Sequence, residues 1–245
     1  MASAKVYTYC SALGYYNKLN NYPDPTQNFV VKKCLQGYKN LRPSIDARLP
    51  ITPKILKDIV SSLIHTCHSC FLRILLKSMY LLAFHAFLRV GEFTCSKAGK
   101  NGHMLLVEDV QFKYSSSNLT GVTFKSYKHS KGKSQTLFIA CCSHECDQYP
   151  VHALHAYFCL RKPVQGPIFT FMDGSPISRA YFTKQLNLSL ASAGCSTTRY
   201  KGHCFRKGAA TSALSLGIAE SKIQTTGLWS SNAYKRYIRT PMLSL

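Results

Sequence analysis

The stretch HCFRKGAATSAL, His203 to Leu214, begins with a histidine and an arginine three residues apart and continues in small residues. Its alanines are strong helix formers, so the pattern predicts a helix that carries His203 and Arg206 on one face of its first turn. The positive end of the helix macrodipole repels cations there. A bound anion would offset this repulsion, because free backbone N–H groups and an arginine fork both bind phosphate oxygens. The alternative is a solvated basic turn.

The composition of the chain favours an anionic partner. The 245 residues include 31 Lys and Arg against 10 Asp and Glu, a formal net charge of +21, and the pI is about 9.6. This excess is typical of proteins that bind nucleic acids. Because the basic residues are spread through a sequence that is 46% hydrophobic, we expect a folded basic surface rather than a disordered basic tail.

Membrane association is not expected from the apolar pattern. No uninterrupted apolar run reaches the roughly 18 residues of a membrane-spanning helix. The first residues, MASAKVYTYCSALGYY, contain no apolar run of signal-peptide length. We therefore expect an intracellular protein.

Eleven cysteines raise the question of disulfides or zinc. Their odd number and the length of the chain favour reduced thiols. The densest group lies in CCSHECDQYPVHALH and comprises Cys141, Cys142, His144, Cys146, His152 and His155, with Cys67 and Cys70 as further candidates. These spacings match no standard zinc ligand set. The prediction is free cysteines, with no metal and no cofactor, and the alternative is a structural zinc.

Local signals place a domain boundary near residue 50. Pro50 and Pro53 mark a linker, and Thr52 is a candidate N-cap for a helix around Lys54 to Ile64. Residues 1–49, which include a helix-like NFVVKKCLQGYKNL, are marginal in number for an independent domain. We predict that they are part of a module and that residues 50–245 form the main domain.

The periodicity of residues 50–245 predicts a mainly α fold with a small antiparallel β-sheet. The apolar run CFLRILLKSMYLLAFHAFLRVGEFT has the spacing of a central core helix that ends near Gly91. Alternation at Val110, Phe112 and Tyr114, at Val122 and Phe124, and at Leu137 and Ile139 predicts three strands. Further helices are predicted in PVHALHAYFCLRK, SRAYFTKQLNLSLASAG, AESKIQTTGL and SNAYKRYIR.

Other candidate site residues lie apart from the His203 and Arg206 pair. Arg89 and Glu92 lie at the predicted end of the core helix, where a salt bridge is the simple interpretation. Lys128 lies at a basic hairpin, where a solvated lysine is the alternative. Near the C-terminus, GLWSSNAYKRYIR contains Trp229, Tyr234 and Tyr237, and either tyrosine could be a core aromatic or a nucleophile.

In chain order, LRVGE, the hairpin lysine, HCFR and YIR resemble the motifs of the tyrosine recombinase (phage integrase) family. The resemblance covers about residues 50 to 240. The lead-in LPITPKIL and the ending WSSNAYKRYIR are most similar to eukaryotic mobile-element recombinases of the Crypton or DIRS kind. The resemblance implies an integrase-like α+β catalytic domain over residues 50–245. It also implies that residues 1–49 are the last part of a helical core-binding domain.

The resemblance implies an enzyme that recombines or integrates double-stranded DNA in the nucleus, as a homo-oligomer, a tetramer, on DNA. Arg89 and Arg206 would hold the phosphate, with Glu92 in support. Lys128 would protonate the leaving 5′-oxygen, His203 would give acid–base assistance, and Tyr237 would become the 3′-phosphotyrosine. The chemistry requires neither a metal nor ATP, since arginines stabilise the phosphate charge and the covalent bond stores the phosphodiester energy.

Two assignments within the resemblance have alternatives. The second His/Trp position of the family is Trp229 when counted from Arg206 and Leu228 when counted back from Tyr237, and we favour Trp229 because its indole N–H can bind phosphate. Tyr237 is favoured over Tyr234 because it carries the YIR context. The short N-terminal module and C-terminal tail suggest an alternative function, a domesticated DNA-binding protein that no longer cuts DNA.

Overall fold

The computed structural model describes residues 3–41, 46–95, 104–116, 118–130, 133–141, 149–227, 229 and 231–238, with the side chains of 3–4, 126–130 and 133–135 outside the description. The chain divides into two compact units, Met1–Ala47 and Arg48–Leu245. In the described residues, no helix has both the length and the apolar character needed to cross a membrane.

The first unit contains helices α1 (Ser3–Leu19) and α2 (Phe29–Leu41), joined through a 3₁₀ turn at Pro25–Gln27. The sequence predicted α2 but not α1. Asp24 caps the turn, because its carboxylate accepts hydrogen bonds from the hydroxyl and the backbone N–H of Thr26 at 2.6 and 3.0 Å. These bonds, the hydroxyl first, lower the pKa of Asp24 to about 2.

The second unit holds the remaining helices and the sheet. Its helices are α3 (Pro53–Ser61), α4 (Leu63–Thr66), α5 (Cys70–His85), α6 (Pro150–Leu160), α7 (Arg179–Ser192), α8 (His203–Ser215) and α9 (Glu220–Gly227). Thr52 caps α3 as predicted, since its hydroxyl accepts the N–H of Ile55 at 3.3 Å. The predicted helix from Lys54 to Ile64 is interrupted at Ser62, where α3 ends and the short α4 begins.

The predicted three-stranded antiparallel sheet is confirmed. Its strands are β1 (Val110–Ser115), β2 (Asn118–Ser130) and β3 (Lys133–Ala140), in the order β1-β2-β3. Val122 and Phe124 are fully buried, whereas Tyr114 and Phe138 are each 54% exposed. One face of the sheet therefore packs on the core, as the period-2 pattern requires.

Helix α5 is the central core helix, as predicted. Leu75, Leu76, Met79 and Leu82 are fully buried on it, whereas Leu72 is only half-buried. With the sheet and the other helices around it, the observed fold class is the predicted one, mainly α with a small antiparallel β-sheet.

The end of α5 differs from the prediction, because the helix stops at His85 rather than near Gly91. Phe87 adopts a left-handed backbone conformation with φ of 51°. The N–H of Leu88 bonds to the carbonyl of Ala83 at 3.0 Å, and that of Phe87 bonds to Phe84 at 3.2 Å. This is a Schellman motif, and it turns the chain away from the helix axis.

Candidate functional site

Arg206 is the buried centre of the site. It lies in the first turn of α8, and its side chain has no solvent exposure. Nη1 donates to the carbonyl of Phe87 at 2.9 Å, and Nη2 donates to the carbonyl of Gly227. The Schellman turn after α5 and the last residue of α9 thus hold the guanidinium in place. These hydrogen bonds to carbonyl oxygens use donors of the guanidinium, which keeps its positive charge.

Two aromatic rings pack against this guanidinium. Trp229 lies over it, with the carbon Cζ of Arg206 4.0 Å from the indole centroid, and Tyr237 is the second ring at 5.5 Å. The two rings are 5.2 Å apart. Cation–π attraction favours this arrangement. The structure therefore brings together three of the predicted site residues, one from α8 and two from the C-terminal segment.

Trp229 reaches this position because Gly227 lacks a side chain. A Cβ at Gly227 would lie 1.7 Å from the indole ring atom Cζ3, which is far below van der Waals contact. The indole is 7% exposed, and its N–H has no acceptor among the described residues. A buried donor without an acceptor is costly, so the indole N–H is available for a ligand oxygen.

The sequence predicted that the guanidinium fork of Arg206 binds a phosphate, whereas in the structure this side chain is buried. With 0% exposure beneath Trp229, the guanidinium makes contact with a phosphate only after a neighbouring group moves. In this structure, the guanidinium packs against the rings of Trp229 and Tyr237 instead.

Arg89 lies on the turn that follows α5, with 45% of its side chain exposed. Its Nη1 lies 3.0 Å from Oε1 of Glu92, and its backbone N–H donates to Oε2 at 2.7 Å. The salt bridge expected from the sequence is therefore present. Gly202 allows this turn to approach α8, because a Cβ there would lie 2.1 Å from Cγ2 of Val90.

His203, the first residue of α8, is half-buried. Burial lowers the pKa of its imidazole, and the charges of Arg48, Arg179, Arg89 and Arg206 lower it further. The imidazole is therefore neutral at pH 7 and able to accept a proton.

Two of these arginines, Arg48 and Arg179, were not among the site residues predicted from the sequence. Arg179 begins α7 directly after the N-cap Ser178. A cation at a helix N-terminus is unfavourable without an anion nearby, so ISRAYF carried the same signal as HCFR. Arg48 had no such signal.

We expect the His203 imidazole to titrate below its ordinary pKa of 6.5 in the free protein. Because Arg48 is the largest of the charge contributions, Arg48→Ala should raise the pKa of His203 towards 6.5. A histidine with a lowered native pKa also makes the protein less stable as the pH falls through 6.5, since the unfolded chain binds the proton more tightly. Proton NMR titration, with the resonance assigned by His203→Gln, measures the pKa.

The matched control for this titration is Lys54→Ala, which removes a cation that does not contribute to the pKa of His203. It should leave the His203 titration unchanged. A His203 pKa at or above 6.5 in the free protein, or an unchanged pKa in Arg48→Ala, would contradict the claim that burial and the surrounding arginines lower the pKa of this imidazole.

Tyr234 and Tyr237 have different surroundings. Tyr234 is 4% exposed, and its hydroxyl donates to the carboxylate of Glu220. This bond, together with burial, raises the pKa of the Tyr234 phenol. Tyr237 is half-buried and follows the 3₁₀ helix Asn232–Arg236. The prediction of one helix that carries both tyrosines is therefore wrong. The Tyr234 hydroxyl is thus hydrogen-bonded to Glu220, whereas the Tyr237 ring lies beside the guanidinium of Arg206.

Several predicted residues lie partly or wholly outside the described part of the chain. Lys128 belongs to β2, but its side chain is not described, and Leu228 is not described at all. In the predicted cysteine and histidine cluster, Cys142, His144 and Cys146 are not described. The thiol of Cys141 lies 2.8 Å from Nε2 of His152, and no group of three metal-binding side chains occurs in the residues that are described.

Comparison with solved structures identifies the architecture. The Tn1549 transposon integrase in complex with circular intermediate DNA matches with a TM-score of 0.61 at 9% identity, over 99% of this chain and 77% of that one. The XerA recombinase matches with a TM-score of 0.56 at 16% identity, over 98% and 79%. The chain has the tyrosine recombinase catalytic fold. A post-cleavage complex of the XerH recombinase with palindromic difH also matches, with a TM-score of 0.56 at 14% identity.

The recombinase fold is thus shared at very low sequence identity. The XerH match covers 87% of this chain but only 60% of the XerH chain. No protein-family model matches the sequence, and no curated protein matches it significantly.

Proposed function

We propose that this chain cleaves and rejoins double-stranded DNA through a 3′-phosphotyrosine on Tyr237. The observation that carries the proposal is the contact series from Arg206 through Trp229 to Tyr237. It combines a phenol, a buried cation and an indole N–H that has no acceptor among the described residues. The recombinase fold and the net charge of +21 support DNA as the substrate.

The reaction transfers a phosphate of the DNA backbone from a 5′-oxygen to the phenolic oxygen of Tyr237. The phenolic oxygen of Tyr237 bonds to phosphorus, and the bond from phosphorus to the 5′-oxygen breaks. His203, neutral at pH 7, accepts the phenolic proton, and Lys128 gives a proton to the 5′-oxygen. Arg89 and Arg206 stabilise the charge that develops on the phosphate. The reverse transfer rejoins the strand, so no ATP is consumed.

DNA binding must open the site before this step. Arg206 has no exposed surface, because Trp229 covers its guanidinium. We propose that the phosphate first contacts the half-exposed Arg89 and then draws the Trp229 indole N–H and the Arg206 fork towards its oxygens. Glu92 fixes Arg89 for that first contact.

The proposal is tested with a library of DNA duplexes of randomised sequence. Each duplex carries a nick at one position in one strand. After cleavage next to the nick, the short fragment with the new 5′-hydroxyl diffuses away. Because the strand can then no longer be rejoined, the covalent intermediate is trapped. We expect complexes that resist SDS, and we expect the total binding to weaken steeply with salt, because many phosphate contacts release counterions. Complexes that all dissociate in SDS would contradict cleavage and would indicate a DNA-binding protein without chemistry.

The wider setting is part of the same proposal. We propose a mobile-element recombinase of the Crypton or DIRS kind that acts in the nucleus, supported by LPITPKIL and WSSNAYKRYIR. We propose that residues 1–49 contribute to a helical DNA-binding module and residues 50–245 form the catalytic domain. A homo-oligomer on DNA is also proposed, because a palindromic substrate such as that of XerH presents two equivalent half-sites.

A further inference from the structure

Helix α9 is hydrogen-bonded to two residues of the candidate site, Arg206 and Trp229. Its last residue, Gly227, accepts a hydrogen bond from Arg206. Gln224, one turn earlier, accepts the backbone N–H of Trp229 at 3.0 Å, and its side-chain amide donates to the carbonyl oxygens of Trp229 and Ser231 at 3.1 and 3.4 Å. Arg206 and Trp229 are therefore both hydrogen-bonded to the same short helix.

The first residue of α9 holds the segment that carries Tyr237. The carboxylate of Glu220 accepts the hydroxyl of Tyr234, and it lies 3.6 Å from Nζ of Lys235. Tyr234 in turn fixes the position of Tyr237, because its carbonyl accepts the N–H of Tyr237 at 2.8 Å. The hydroxyl of Thr211 on α8 makes a longer contact, 3.4 Å, with the carbonyl of Tyr237.

We propose that Glu220 and Tyr234 form a latch that positions Tyr237 and Trp229 against Arg206. Both are positioning residues, and neither touches the reacting atoms. The inference rests on the proposed function for its consequence in catalysis, but the latch itself is a contact that can be tested without any chemistry.

The charge state of the latch suits neutral pH. The hydrogen bond from Tyr234, followed by the charge of Lys235, lowers the pKa of Glu220, while the same bond raises the pKa of Tyr234. The carboxylate is therefore ionised and the phenol protonated, which is the combination that gives a strong charge-assisted hydrogen bond. The start of α9 adds to this, because the helix macrodipole stabilises a carboxylate at an N-terminus.

The latch matters because the segment it holds is short. The 3₁₀ helix Asn232–Arg236 is a five-residue element, and Tyr234 is its buried residue. The Tyr234 ring lies 6.2 Å from Trp229, so a lifted segment would move both Trp229 and Tyr237 away from Arg206. A displacement of about 1 Å of a reacting group can lower a rate by about 100-fold.

The first experiment reads Trp229 itself, because it is the only tryptophan of the chain. Acrylamide quenching of its fluorescence is measured in the full chain without DNA. Tyr234→Phe keeps the ring and removes only the hydroxyl, and Glu220→Ala removes the acceptor. We expect either change to raise the quenching constant by about threefold, as local opening exposes the indole.

The second experiment measures the rate of covalent adduct formation at saturating nicked DNA. Glu220→Ala and Tyr234→Phe should each lower this rate by at least about tenfold while the dissociation constant for DNA stays within about twofold. The double variant should be no slower than the slower single variant, because both remove one contact. Glu220→Gln retains an oxygen acceptor and should recover most of the rate.

The matched control is Tyr114→Phe on β1, which removes a tyrosine hydroxyl bonded to His155 at 3.0 Å. It should change neither quenching nor rate. Unchanged quenching and an unchanged rate in Tyr234→Phe would overturn the latch. If quenching rises while the wild-type chain forms no adduct with any duplex, the latch stands and the proposed recombinase activity is wrong.

Discussion

Tyr237→Phe is expected to abolish the covalent DNA adduct while leaving DNA affinity nearly unchanged. The phenol oxygen is the atom that bonds to phosphorus, so its removal leaves no nucleophile at this position. Affinity comes chiefly from phosphate neutralisation by many basic residues, and the substitution keeps all of them. The measurement is SDS gel analysis of adducts on duplexes selected from the library with the wild-type chain, together with binding isotherms.

Tyr234→Phe is the comparison variant, because it tests whether the nucleophile is Tyr234 instead of Tyr237. Its adduct should still accumulate, more slowly than that of the wild-type chain, because Tyr234 positions Tyr237 and does not attack the phosphate. Adducts that persist in Tyr237→Phe and disappear in Tyr234→Phe would show that the nucleophile is assigned to the wrong tyrosine.

Arg206→Lys is expected to damage both stability and catalysis. A lysine keeps the charge, but it cannot donate to the carbonyls of Phe87 and Gly227 at once and it loses the flat stack under Trp229. We expect a loss of about 3 kcal/mol in the free energy of unfolding. At a temperature where the variant stays folded, adduct formation should slow by about 100-fold or more.

Urea unfolding followed by circular dichroism gives the stability, and single-turnover adduct formation gives the rate. Arg199→Lys is the matched control, since Arg199 is an exposed arginine of the same unit. It should behave like the wild-type chain in both assays. A folded Arg206→Lys variant with the wild-type adduct rate would exclude Arg206 from the reaction.

The fold could be predicted from the sequence wherever local patterns decided the structure. Alternation at Val122 and Phe124 predicted a strand, and the apolar spacing of CFLRILLKSMYLLAFHAFLRVGEFT predicted the core helix, since burial follows the period of each element. The cap at Thr52 was predictable because its hydroxyl bonds to the backbone within the same turn.

The end of α5 could not be predicted in the same way. A left-handed residue that closes a Schellman motif is usually glycine, whereas here it is Phe87. Tertiary contacts stabilise this backbone conformation, since the carbonyl of Phe87 accepts a hydrogen bond from Arg206 and its ring packs edge-on against Trp229, with centroids 6.2 Å apart. The sequence pattern alone gave no reason for the helix to stop there.

For the candidate site, three of the residues predicted from the sequence, Arg206, Trp229 and Tyr237, lie in contact, but the sequence did not predict how they are arranged. His203, Arg206 and Tyr237 were identified from motif order and Trp229 from residue counting, and their catalytic roles remain predictions. The burial of Arg206 and the contacts from Gln224 and Glu220 depend on how α9 packs. Gln and Glu are common surface residues, so their types gave no signal of that packing.

The most direct test of the central claim is to locate the DNA on the protein. Trypsin cleavage after Lys235 and Arg236 places Tyr234 and Tyr237 in different peptides, the latter in Tyr237-Ile238-Arg239. Mass spectrometry of the digested adduct should find a nucleotide joined through its 3′-phosphate to the Tyr237 peptide. A nucleotide on any other residue, or one joined through a 5′-phosphate, would contradict the proposed reaction.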